Sequence, residues 1–326
     1  MQEAIDKLNK ILEKKKQLTE DSVLINDKAV PIEKEKFVLI VPNGLNKVLA
    51  FVDGGNAELF NSEDTCLQFV RVAAVFFQNN KRLNKERKVS FFLLSQINEE
   101  NPEEYLSQFF WEEKSLPLEE FSLNALDFSL REGMKRGAIN KAGELARRKA
   151  ELLLAKEVCS EADWVVLDGT LEEKLPEEKE ILDNLPANVC ALAKSCSLIT
   201  SKGRSATSRV SLVGPKNSRW SYFLDQERKR KTFFVRLNEK SNHVFRFETF
   251  SDNDEIFEAL AANSTDPVFT GYPYGLIYAD QRARVSNQEA ALLKTKLFSL
   301  IKKVNTGSDL TKLNNSAHDV LDCIRF

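Results

Sequence analysis

Two stretches decide the fold: Lys47-Val-Leu-Ala-Phe-Val-Asp53, closed by Gly54-Gly55, and Asp163-Trp-Val-Val-Leu-Asp168, closed by Gly169-Thr170. Each is a short apolar run that ends on an aspartate, and a glycine then lets the backbone turn, so each predicts a strand. Between them, Asn140–Val158 (NKAGELARRKAELLLAKEV) is built from good helix formers and predicts a strong helix. Cys66–Phe77 and Lys88–Ser95 predict two more strands, separated by Asn79-Asn80 and the Asn84–Arg87 region as in a meander. Three strands, a helix and a strand form an α/β order in which the helix crosses back over a sheet.

Outward from this centre, residues 3–18 carry Ile5, Leu8, Ile11 and Leu12 at helical spacing and predict an amphipathic helix, packed on the body or on a second subunit. Residues 102–135 read as helical in pieces, broken near Pro117. An acidic helical stretch, Glu172–Asp183, precedes further strand candidates at Val189–Lys194, Arg209–Val213, Thr232–Leu237 and His243–Glu248. A last helix is expected over about Asn287–Val304. No low-complexity linker or repeat interrupts the chain, so one elaborated domain is expected: residues 1–30 as helix and lead-in, 31–310 as the main domain, 311–326 as a tail.

The 326 residues supply ample chain for a buried core, and 42% hydrophobic with 29% charged residues is ordinary globular usage. No apolar run reaches the ~18 residues of a membrane span, and the polar N-terminus does not read as a secretory signal. Five cysteines without a CxxC pair argue against a disulfide framework or a structural zinc site. A reduced, cytoplasmic protein with no membrane partner is expected.

The net charge of −2 conceals an asymmetry. From Lys194 to Arg246 thirteen basic residues, among them Lys202, Arg204 and the run Arg228-Lys229-Arg230-Lys231, face only three acidic ones. That segment suits a polyanion, although a solvated charged face or a charged hairpin tip gives the same pattern.

Asp53 and Asp168 at two strand ends point to the crevice where α/β ligand sites form. The helix between them offers Glu144 and Glu151, seven apart and on one face, and Glu157 near its end. The Asp163–Asp168 strand rises about 17 Å at ~3.3 Å per residue. Read back along the helix, that is about 11 residues at ~1.5 Å each, which lands between Glu144 and Glu151 and chooses neither. Carboxylates from two strands and a crossing helix suit Mg²⁺ or Mn²⁺; Zn²⁺ would want His or Cys. Such ions activate water and stabilise a leaving oxygen in phosphodiester cleavage.

Several blocks, in order, resemble the NurA family of DNA-end-processing nucleases: Phe51-Val-Asp53-Gly-Gly, Arg147-Arg-Lys-Ala-Glu151-Leu-Leu-Leu-Ala155, Val165-Val-Leu-Asp168-Gly-Thr-Leu171, Ala193-Lys194-Ser195 and Gly271-Tyr-Pro-Tyr-Gly-Leu-Ile-Tyr-Ala-Asp280. The resemblance implies an RNase H-like mixed sheet flanked by helices, with elaborations, and a NurA-like nuclease domain over 31–310. It implies Asp53, Glu151 and Asp168 as metal ligands, favouring Glu151 over Glu144 by its interval to Asp168. It also implies Lys194 at a phosphate and manganese as cofactor, with magnesium as the alternative. Single-strand endonuclease and 5′-to-3′ exonuclease activities, a homodimer and a HerA-type hexameric translocase as partner are implied in the same way. Asp280 stands where the family carries histidine; a carboxylate can ligate a hard ion, but it cannot carry a proton as an imidazole does. Tyr272 and Tyr274 are candidates for stacking on a DNA base. Two readings stay beside this one: a weakened DNA-binding subunit of the translocase complex, and an RNase H-like ribonuclease.

Overall fold

The computed structural model describes residues 1–16, 21–42, 46–62, 64–131, 133, 135–174 and 178–304. The tail expected over 311–326 lies outside the described residues. Thirteen strands are described: β1 (Ser22–Ile25), β2 (Lys28–Pro31), β3 (Phe37–Leu39), β4 (Val48–Asn61), β5 (Thr65–Gln78), β6 (Lys81–Ile97), β7 (Glu104–Phe110), β8 (Phe121–Asn124), β9 (Trp164–Asp168), β10 (Val189–Ala193), β11 (Trp220–Glu227), β12 (Arg230–Arg236) and β13 (Phe245–Thr249). The helices are α1 (Gln2–Lys16), α2 (Lys141–Val158), α3 (Glu178–Asp183), α4 (Ala206–Val213), α5 (Glu255–Asn263), α6 (Tyr274–Ala283) and α7 (Asn287–Val304).

One sheet of eleven strands runs β3-β11-β12-β13-β10-β9-β4-β5-β6-β7-β8, and β1-β2 form a separate hairpin. Among the described strands only β4, β9 and β10 pair in parallel, so this is the mixed α/β sheet expected. The centre is apolar because helices cover both of its faces. Val52, Val70, Val165 and Leu167 pack beneath Leu145, Ala146 and Leu152 of α2. On the reverse face Phe51, Val166 and Leu192 pack with Ile256 and Leu260 of α5 and with Leu276 of α6. A third cluster joins the β1-β2 hairpin to Val210, Trp220 and Phe234.

The structure corrects several expectations. Gly54-Gly55 do not end the first strand: β4 continues to Asn61 through them, paired with β5 along its length. Asn84–Arg87 lie inside β6, which starts at Lys81 directly after the Asn79-Asn80 turn, where both residues have positive φ (49° and 59°). That is the backbone of a two-residue hairpin turn, whose twist matches its strands. Residues expected to be helical over 102–135 instead form β7 and β8, and the burial of Phe121 and Leu123 alternates with exposed neighbours. Arg209–Val213 belong to α4, where the Ser205 hydroxyl accepts the Ser208 N–H and Gly214 closes the last turn. The expected N-terminal helix is present as α1, with Ile5 and Leu8 exposed on this chain, and among the described residues no helix is long and apolar enough to cross a membrane.

Candidate active site

The site is built where β4 and β9 part. Val52 pairs with Leu167, the last partners of the parallel ladder, and Asp53 and Asp168 each follow directly. Since side chains alternate along strands, both aspartates project to the α6 face, as Phe51 and Val166 do. Glu151 comes from the other face, on α2. It reaches the aspartates because position 54 carries no side chain: a Cβ at Gly54 would lie 2.5 Å from Glu151 Oε1 and 2.8 Å from Arg147 Cγ. At Gly55 the same test meets the Ala283 carbonyl at 2.8 Å, so the end of α6 closes against β4 from the opposite side. Glu144, the rival of Glu151, is exposed and bound to Lys141 at 3.3 Å.

Asp53 is 8% exposed. Its Oδ1 accepts the Gly54 N–H at 2.7 Å, while its Oδ2 is buried with no partner. Burial, then the negative charges of Asp168 and Glu151, push its carboxyl up to about 8. Burial also raises Glu151, against the pull of Arg147 and Arg148. Those guanidiniums stand 3.7 Å from Oε1 and Oε2 respectively. Lys194, one residue past β10, places Nζ 2.5 Å from Asp168 Oδ2. Burial acts to lower this ammonium, but Asp168, Asp53 and Asp280 outweigh it and hold it above its usual range. The three acids therefore lie within electrostatic reach of one another, with Glu151 facing Arg147 and Arg148 and Asp168 facing Lys194.

Tyr272 corrects an expectation. Its ring is 2% exposed, packed edge-on against Phe245 and Phe269, so no base can stack on it. Its hydroxyl donates to Asp168 Oδ1 at 3.2 Å, and Lys194 lies over the ring at 5.4 Å. Burial, then Asp168, raise its phenol above the usual value. Tyr274 is half-buried, edge-on to Phe77 and beside Tyr278. Asp280, on α6, is exposed; its charge acts on Lys194 and Tyr272 from the rim of the group.

The basic residues divide. Arg228 and Lys229 form the exposed turn between β11 and β12, while Arg230 pairs with Glu227 at 2.5 Å and Lys231 with Asp252. The turn lines a cleft of about 880 Å³ together with Leu171, Lys179 and Phe250. Lys202 and Arg204 lie elsewhere, in the turn before α4 that bridges to β1. Of the described cysteines, Cys66 and Cys190 are buried and Cys159 and Cys196 half-buried, all as free thiols. Sequence reasoning missed the part played by Arg147 and Arg148. Their positions, four and three residues before Glu151 on one helix, are the signal that would have found it.

Among the described residues no group of three or more His, Cys, Asp or Glu side chains stands close enough together to hold a metal ion. The donor chemistry nevertheless fits a hard divalent cation: the donors are oxygen carboxylates, and a buried carboxylate oxygen on Asp53 lacks any partner.

The eleven-stranded mixed sheet flanked by helices has an RNase H-like fold. Residues 177–285 match the NurA domain family, which supports a nuclease. Among solved structures, the NurA nuclease from Sulfolobus solfataricus is similar at TM-score 0.53 and 15% identity, over 83% of this chain and 89% of that one. Endonuclease V of Ciona intestinalis, solved with a DNA containing an inosine, is similar at TM-score 0.40 and 12% identity, over 82% of this chain and 93% of that one. No curated protein sequence matches the chain.

Proposed function

We propose that the chain is a metal-dependent DNA nuclease of the NurA type, a single-strand endonuclease and 5′-to-3′ exonuclease acting in DNA end resection. The observation that carries this reading is the approach of Asp53, Glu151 and Asp168 from three elements, Glu151 through the gap at Gly54, with one buried oxygen of Asp53 unpartnered. Asp53, Glu151, Asp168 and Asp280 would hold Mn²⁺, or Mg²⁺ in its place. Such an ion supplies water activation and charge stabilisation at the phosphate. The protein's own residues orient and neutralise. Tyr272 fixes one oxygen of Asp168, and Lys194 on the other stands ready to offset the charge of a phosphate. Arg147 and Arg148 hold Glu151 toward the gap at Gly54. Arg228 and Lys229 beside the cleft, and Lys202 and Arg204 before α4, would contact DNA away from the acids; Arg230 and Lys231 would leave their acidic partners to join. A HerA-type hexameric translocase as partner, a homodimer and a cytoplasmic location belong to the same reading.

Cleavage of a labelled single-stranded oligonucleotide in Mn²⁺, compared among the parent, Asp53→Ala and Asp168→Ala, tests it. Activity confined to the parent supports the proposal, and equal cleavage by all three overturns it. A specific observation favours a second reading, a weakened DNA-binding subunit: Asp280 is exposed at the rim in the place of the family's histidine. On that reading the oligonucleotide binds and remains uncut.

A further inference from the structure

The loop after Asp168 is fastened at three consecutive residues by charged side chains from beneath. The Thr170 carbonyl accepts from Arg148, which also faces Glu151 and stands 3.7 Å from Glu178. The Leu171 N–H donates to Glu248 Oε2 at 2.5 Å. The Glu172 carboxylate takes Arg246. Glu248 is 0% exposed and Arg246 3%, and the two are joined at 2.5 Å.

The sheet sets this arrangement. Glu248 of β13 pairs with Ala191 of β10, and Ala191 with Leu167 of β9, so the three share one rung. Leu167 immediately precedes Asp168. A buried ion pair is a poor source of stability, since an apolar pair of similar volume does as well or better. What a carboxylate adds here is a fixed acceptor under a backbone N–H that would otherwise be buried unpaired.

We infer that Glu248 is a positioning residue: by accepting the Leu171 N–H and holding Arg246 on Glu172, it sets the course of residues 169–172 and thereby the placement of Asp168 beside Asp53. The inference rests on the nuclease reading for its catalytic consequence, and on geometry alone for the loop.

Glu248→Gln keeps the shape and a carbonyl acceptor for Leu171; Glu248→Ala removes the acceptor. Two measurements decide. Amide hydrogen exchange on the metal-free protein is expected to speed up about tenfold or more at Leu171 in Glu248→Ala, with distant core amides unchanged. With Mn²⁺ and a single-stranded oligonucleotide, kcat is expected to fall about a hundredfold while KM stays within about twofold. Glu248→Gln is expected to restore both. Unchanged exchange at Leu171, or a loss that spreads over all core amides and is not rescued by Gln, overturns the inference. Should Glu248→Ala not fold, Glu172→Gln loosens the same loop without opening the core, with about threefold faster exchange at Leu171 expected and no change there contradicting the idea. A parent protein that cleaves nothing defeats the nuclease reading, and the exchange measurement still decides the loop.

Discussion

Asp53 and Asp168 lie side by side one step past the last parallel pair of β4 and β9, Val52 with Leu167. Two carboxylates so placed repel each other, and that repulsion adds to the burial that keeps Asp53 protonated. Asp53 thus keeps its proton where a free carboxyl would have lost it, and the arrangement of the site has several measurable consequences.

The first concerns pH. The Asp53 carboxyl titrates at about 8 in the folded protein, against ~3.9 in an unfolded chain. Between those values the native state holds the extra proton, so this group makes stability fall as pH rises from about 4 to about 8. Melting temperatures of metal-free protein across that range should show the decline. Asp53→Asn, which cannot ionise, should flatten it and melt higher than the parent at the alkaline end. A parent profile that rises through this window and is matched by the variant would contradict the assignment.

The gap in β4 is a second test. Gly54→Ala puts a methyl group against Glu151 and Arg147, flexible side chains that can retreat, so the cost is expected to be about 1–3 kcal/mol. Activity should fall further than stability explains, because the side chain displaced is Glu151. Gly55→Ala presses instead on the backbone of Ala283 and Arg284, which cannot rotate away. It should therefore be the more destabilising of the two in chemical denaturation; the opposite order would contradict the packing described.

Much of this was legible in the sequence, for a physical reason. The strands β4, β5, β9 and β10 are buried on both faces and read as apolar runs, and α2 reads from its composition. The first half of β6 did not, because Lys81–Lys88 is polar and mostly exposed and is held in place by pairing with β5. Likewise β7 and β8, near the sheet edge, alternate too briefly to declare themselves, and the cap at Ser205 outweighs the apolar pattern of Arg209–Val213. At the site, both aspartates were visible as acids after apolar runs. The choice of Glu151 over Glu144 came from the family resemblance alone, since helix spacing left both open and the structural reason is an absent side chain at position 54 on another element. The buried pair Arg246–Glu248 was hidden for a similar cause: only the pairing of β13 with β10 puts it below the Asp168 loop.

Lys194 yields a third prediction, with opposite signs for two quantities. Its ammonium occupies Asp168, where it competes with any added cation. Lys194→Gln should bind Mn²⁺ more tightly, by roughly threefold to tenfold for one nearby positive charge removed. It should also cleave more slowly, since charge on the phosphate loses its offset, by about tenfold or more. Calorimetry and a cleavage assay on the same preparation check both; a change of the same sign in each would contradict the role given to it.

The hairpin turn supplies a fourth, independent of function. Asn79 and Asn80 both adopt positive φ, and Asn80 also accepts a bond from Asn263 at 2.7 Å. Asn80→Ala should cost about 1–2 kcal/mol in denaturant unfolding, combining the backbone strain of a non-glycine residue there with the lost hydrogen bond. No measurable loss would show that the turn tolerates another backbone path.

The most direct test of the central claim, that acids from β4, α2 and β9 make one cation site, is a calorimetric titration with Mn²⁺. The parent is compared with Asp53→Asn, Glu151→Gln and Asp168→Asn, each shown to be folded by its melting curve. The account predicts saturable binding by the parent and a loss of about tenfold or more in affinity in every one of the three variants. Parent-like binding in any one of them, or no binding by the parent, would contradict it.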